Sequence, residues 1–226
     1  MGLGSNQTTP KIYLSVAYGK IRQKSVGNEK VNEKTPGAVK RLTQQGAESW
    51  SLEHDFVTGE IENIFYKEDE KYGNSFEVVI TEVADKYQLS FTEDSRFWFD
   101  FAKKLPNINF NEPLKITAYD FTDRVTGKKH AGISVEQNGQ KITSFYETKE
   151  GEKWILKHGF PTSEGVDWKD KDETKVFLIR VKKFLRTEFV NRIMPLFAQT
   201  NVPEVVEEIP NEYNPLGNLP EEPLPF

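Results

Sequence analysis

Between His54 and Glu147 the chain repeats one pattern: short segments in which apolar and polar residues alternate, separated by turn residues. A period of two puts alternate side chains on opposite faces of an extended chain, so each segment buries one face as a strand. HDFVTGEIENIFYK (54–67) reads as a long strand with a bulge or bend at Gly59. SFEVVITEV (75–83) and KYQLSFT (86–92) follow, joined by a tight turn at Ala84-Asp85. LKITAYDF (114–121), HAGISVEQ (130–137) and QKITSFYE (140–147) complete the set, with Asn138-Gly139 as a hairpin signal. Between the third and fourth strands, EDSRFWFDFAKKLPN places Phe97, Trp98, Phe101 and Leu105 at helical spacing behind a cap at Asp94 or Ser95, and Pro106 ends it.

Before this core, IYLSVAY (12–18) alternates and runs into GKIRQKS, where Lys20, Arg22 and Lys24 share one face, so a cationic ribbon is expected there. Residues 26–41 read as a polar connection with a Pro36-Gly37 turn. After the core, 148–170 reads as irregular, with Trp154, Phe160 and Trp168 spaced through it. Residues 172–199 read as one amphipathic helix with Phe177, Val181, Phe184, Leu185, Phe189, Ile193 and Leu196 along its apolar stripe. That helix either forms a dimer face or packs on the sheet. The expected organisation is an N-terminal ribbon and connection (1–49), a core with its helix (50–202) and a tail (203–226).

The tail differs in kind. It holds six of the 35 acids (Glu204, Glu207, Glu208, Glu212, Glu221, Glu222), no Lys or Arg, and six of the twelve prolines. The rest of the chain is left with 29 acids against 30 Lys and Arg, close to neutral. Proline at that density blocks helix and ladder alike, so the tail is expected to be extended and disordered until bound.

Reaction chemistry finds no support. There is no cysteine, which excludes disulfides, cysteine-ligated zinc and a thiol nucleophile and fits a reducing cytoplasm. No phosphate loop, dinucleotide fingerprint or HExxH occurs, and the three histidines (His54, His130, His158) lie far apart. No catalytic residue, cofactor or metal is expected. Neither a signal sequence nor a membrane-length apolar run is visible, so a soluble intracellular protein with no membrane partner is expected.

The order strand, strand, strand, short helix, strand, strand over roughly 50–147 resembles the OB-fold, a five-stranded closed barrel. The fold class expected is therefore mainly β (α+β), an OB barrel with an N-terminal ribbon and a long C-terminal helix. The resemblance implies a ligand face on its second and third strands, closed by two loops. It implies DNA-binding roles for Tyr66, Lys67, Lys71 and Tyr72 in the first loop, Lys86 and Tyr87 on the third strand, and Arg124, Lys128 and Lys129 in the second loop, with Trp154 extending the path. Cations replace phosphate counterions and exposed rings stack unpaired bases, which is what a single strand requires.

The last residues, Glu221, Glu222, Pro223, Leu224, Pro225 and Phe226, are similar to the acidic tip of bacterial single-stranded DNA-binding proteins. Size, single OB core and acidic tail together resemble phage-encoded single-stranded DNA-binding proteins of the T7 type. The stretches TPGAVKR (35–41) and ISVEQNG (133–139) are similar to proteins of crAss-like phages. About fifty residues before the core and the long helix after it depart from the bacterial pattern. The resemblance implies single-stranded DNA as ligand, replication or recombination proteins recruited through Glu221, Glu222, Leu224, Pro225 and Phe226, and the host cytoplasm as the location. A virion structural or cargo protein, with an OB-like assembly module, is the alternative. If the acidic tail competes for the cationic groove, a chain shortened to 1–202 will bind single-stranded DNA more tightly at low salt; unchanged or weaker affinity in a titration counts against that competition.

Overall fold

Alternation builds this molecule as one broad sheet. The computed structural model describes residues 10–42, 46–71, 73–151 and 153–198. The chain enters as an antiparallel ribbon, β1 (Ile12–Ala17) and β2 (Lys20–Val26), turning at Tyr18 and Gly19, both at positive φ. Two short strands, β3 (Glu29–Lys30) and β4 (Val39–Leu42), lie within the stretch expected to be a plain connection. Then come β5 (Glu48–His54), the long β6 (Phe56–Lys67), β7 (Ser75–Glu82) and β8 (Asp85–Thr92). The β7–β8 turn is Val83-Ala84, one residue earlier than expected, because Glu82 and Asp85 form a ladder pair. Helix α1 (Arg96–Ala102) follows, its Ser95 cap accepting from the Trp98 N–H at 3.1 Å.

After a 3₁₀ turn at Leu105–Asn107 come β9 (Leu114–Thr122), β10 (Lys129–Gln137) and β11 (Gln140–Lys141). The strand expected over 140–147 stops after two residues: the Phe145 N–H donates to the Lys103 carbonyl at 2.7 Å and Tyr146 enters the core. The stretch expected to be irregular contains a separate two-stranded sheet, β12 (Glu147–Glu150) with β13 (Lys153–Leu156). Helix α2 (Lys171–Glu188), a π-turn (Phe189–Ile193) and α3 (Met194–Ala198) end the described chain.

The main sheet runs β11-β10-β9-β6-β7-β8-β1-β2-β5-β4, antiparallel throughout except where β1 lies parallel to β8. β6 pairs with β9 over its first residues and with β7 over the rest. The bulge expected at Gly59 falls instead at Glu62, where the register slips between Ile61 and Asn63. Gly59 answers a different need: at φ +137 a Cβ there would stand 2.5 Å from the Thr81 carbonyl oxygen.

The sheet does not close into a five-stranded barrel, and the reason is at its two seams. The free edge of β8 is occupied by β1, in register from Ile12 opposite Tyr87 to Ser15 opposite Ser90. The far edge of β10, beyond its two-residue pairing with β11, meets α1 instead of a strand. Asp100 Oδ2 accepts from the Ile133 N–H at 2.7 Å, and Lys104 Nζ donates to the Ile133 carbonyl at 2.7 Å and to Asp100 Oδ1 at 2.5 Å. Two side chains thus supply what a neighbouring strand would have supplied. The Tyr119 hydroxyl donates to Asp100 Oδ2 at 3.2 Å, reaching across Gly132, where a Cβ would lie 2.5 Å from that hydroxyl.

The core is an aromatic layer between sheet and helices. Trp98 stacks on Phe76 at 3.6 Å and meets Phe189 edge-on at 5.3 Å; Phe91 stacks on Phe101 at 5.1 Å. Helix α2 buries Phe177, Val181 and Leu185, and the π-turn buries Phe189 and Ile193. The extra residue of the π-turn shifts the helical phase, so Phe197 is buried while Leu196, expected on the stripe, is exposed. Glu93, 4% exposed, lies 3.3 Å from Lys182 and 3.6 Å from Arg186, which ties α2 to the end of β8.

Replacing Asp100 by Ala leaves Lys104 without its carboxylate and the Ile133 N–H without an acceptor, at a cost of about 2–3 kcal/mol in urea unfolding. Burial, with Asp100 beside it, pushes the Tyr119 phenol up to about 12. The unfolded chain releases that proton near pH ~10. Stability is therefore held below about pH 10 and declines as pH rises towards about 12; in Tyr119→Phe this contribution to the decline is absent.

Candidate functional site

Parity along the strands decides which side chains face solvent. Ile64 of β6, Ile80 of β7 and Leu89 of β8 point inward, and Tyr66 and Tyr87 share that parity. Tyr66 lies 4.8 Å from Phe76 and accepts from Arg186 at 3.4 Å, and its phenol is raised mainly by burial. Tyr87 stands opposite Ile80 and Ile12, with its hydroxyl 3.3 Å from Asp85. Neither ring is offered to solvent as a flat platform. The outward residues of these strands are mostly polar or acidic. Glu77, 4% exposed, is held by Ser75, Ser90 and Gln88 at 2.8, 2.8 and 3.1 Å, and Lys86 is paired with Glu62 at 2.5 Å.

The cationic ribbon is likewise satisfied from within. Lys20 pairs with Asp55, Lys24 donates to Ser49 at 3.1 Å, and Arg22, only 5% exposed, donates to Ser51 at 2.9 Å. Burial lowers the Arg22 and Lys24 pKa values. The two loops expected to close over one face lie at opposite ends of β6. In the first, Lys67 is 3.9 Å from Asp69, the Lys71 N–H donates to Asp69 at 3.0 Å, and Tyr72 lies outside the described residues. In the second, Arg124 and Lys128 are exposed, and Lys129 is 3.3 Å from Asp120. The tail residues Glu221, Glu222, Leu224, Pro225 and Phe226 also lie outside the described residues.

Trp154 has a different setting. It is 64% exposed on β13 and forms one wall of a groove of about 750 Å³. The other wall is the end of α1, with Lys103 and Lys104, and Lys141 of β11; Lys149 of β12 stands on the Trp154 side. Lys103 is paired with Glu147 at 2.8 Å. Lys104 is committed to Asp100 and Ile133, and burial lowers its pKa despite Asp100. Among the described residues Lys141 and Lys149 have no ion-pair partner. The groove therefore joins an open aromatic face to two uncommitted ammonium groups, and Thr143, Ser144, Thr148 and Ser163 add hydroxyls. That combination suits a ligand with a planar ring and a phosphate.

Sequence reasoning found Trp154 but not its neighbours. Lys103 and Lys104 were legible only as residues ending a helix. The signal for Lys149 is ETKEGEKWIL, a hairpin pattern about Gly151, whose positive φ makes the turn. Among the described residues no group of three or more acidic or histidine side chains is placed to hold a metal ion, and none of their helices is long and apolar enough to cross a membrane. Comparison with known protein families, curated proteins and solved structures finds no match for this chain.

Proposed function

We propose that this protein binds single-stranded DNA without sequence preference, seating it in the groove between α1 and the β12–β13 hairpin. The observation that carries the reading is Trp154, exposed beside Lys149 and across the groove from Lys141, neither of which has an ion-pair partner among the described residues. An unpaired base stacks on the indole while the two ammonium groups displace counterions from neighbouring phosphates. A duplex offers no free base face to that ring and is disfavoured.

The finer reading of the fold is an OB-type meander, β6-β7-β8-α1-β9-β10, opened at one seam by β1. Its support is the element order and the return of β9 to the start of β6. In the same reading the chain is a phage-encoded replication or recombination protein, and the acidic 203–226 segment recruits partner proteins. A second reading, an assembly module of a virion, is favoured by one feature: Val176, Leu178 and Ile179 are exposed on α2. That reading requires an oligomer stable without DNA.

Anisotropy titrations of labelled oligo-dT and matched duplex against salt decide the matter. Trp154→Ala is expected to cost about 1–3 kcal/mol of binding to oligo-dT. Replacing Lys141 and Lys149 by Ala lowers the slope of log affinity against log salt by about 0.7 for each phosphate that is no longer neutralised. No oligo-dT binding, or equal affinity for duplex, removes the proposal.

A further inference from the structure

We propose that a single strand leaving this groove runs along the outer face of the β9–β10 hairpin to a second stacking platform made by Phe121 and His130. The inference rests on the groove reading and extends it to residues outside the groove.

The register sets out the strip. Lys141 of β11, which lines the groove, is the ladder partner of Glu136, and Glu136 is the partner of Lys115. On the same face follow Thr117 opposite Ser134, Tyr119 opposite Gly132, and Phe121 opposite His130. Residues of the other parity, Ile116, Ala118, Ile133 and Val135, are buried, so the face of this row is fixed. From Lys115 to Phe121 is six residues, a run of about 20 Å along the strand.

Each part of the strip suits a sugar–phosphate chain bearing free bases. At its near end the half-buried Lys115 has its ammonium 4.5 Å from the Phe56 ring, a weak hold on that charge. Glu136 is the acid of the ladder row, and cations flank it on both sides. In the middle no side chain rises from Gly132, and the space a Cβ would take is filled by the Asp100 carboxylate and the Tyr119 hydroxyl that bonds it, the carboxylate being answered by Lys104. At the far end Phe121 is 54% exposed, with His130 stacked on one face at 5.4 Å and 24°. Beyond it Arg124 and Lys128 have no ion-pair partner among the described residues. The nearby Asp123 is turned into its own loop, accepting from the Val125 and Thr126 N–H groups at 2.8 and 2.7 Å. These bonds hold its carboxyl below the usual range, Thr126 contributing most.

Oligomer length separates the strip from the groove. The full chain is titrated with oligo-dT of about four and about sixteen nucleotides, the range that single-strand modules span. Phe121→Ala is expected to weaken the longer oligomer about tenfold, with the loss falling far more on it than on the shorter one. Arg124→Glu, at an exposed turn where folding is not at stake, is expected to lower the salt slope for the longer oligomer by about one. Trp154→Ala weakens both lengths. If the longer oligomer binds both strip variants as it binds the unmodified chain while Trp154→Ala still weakens it, the strip is overturned and the groove stands. An equal loss at both lengths in Phe121→Ala also overturns it, because the effect then passes through the groove. Failure of the unmodified chain to bind either length removes the groove reading and the strip with it. If the strip instead serves an acidic protein surface, both strip variants leave the affinity for both lengths unchanged.

Discussion

The bonds from Asp100 and Lys104 to the two backbone groups of Ile133 set the shape of the molecule. An unpaired sheet edge is a row of unsatisfied donors and acceptors, and it must be covered, charged or paired. Here a carboxylate and an ammonium from one helix cover it, and their mutual charge is neutralised where they meet. Because α1 holds β10 in this way, β8 has no obligation to reach it, and the N-terminal strand takes the vacant edge. The same contact fixes the end of α1 beside β11, which is why Lys103 and Lys104 stand with Lys141 along one wall of the groove. Architecture and candidate chemistry share one origin.

A second set of charges governs the other side. Helix α2 carries many cations, and two of them tie it to the body of the protein. Lys182 and Arg186 are engaged by Glu93 and Asp94, with Tyr66 beneath the guanidinium, and these ties orient the helix over the aromatic layer of Phe76, Trp98 and Phe189. Lys20, Lys24, Arg22 and Arg41 are similarly absorbed at the other end of the sheet. In the groove and the β9–β10 strip, Lys141, Lys149, Arg124 and Lys128 have no ion-pair partner among the described residues and stand near exposed rings.

The strands between 54 and 137, the capped short helix and most of the buried stripe of α2 were legible in the sequence because each is a local period. Facing was less so. A single bulge at Glu62 resets parity along β6, and inward and outward residues change places; Phe65 faces out and Tyr66 in. Closure of the barrel was illegible because it depends on whether two distant edges find each other, and Asp100 looks like any helical acid until Ile133 is beside it. The shift from Leu196 to Phe197 required knowing that one turn of the helix is wound with an extra residue. Trp154 stood out as a residue, while its lysines are drawn from three elements that only folding brings together.

The β12–β13 hairpin forms its own small sheet and shares no ladder with the main one. It is attached through the short 142–146 stretch, the Lys103–Glu147 pair and one backbone bond from Lys157 to Tyr146. Such a unit opens and closes at a lower free energy than the sheet it leans on. The wall that carries the indole is thus thermodynamically separate from the body that carries the fold. Substitutions in the hairpin can reshape what the groove accepts while the aromatic core keeps its full stability, so ligand preference and foldedness are free to change independently in this chain.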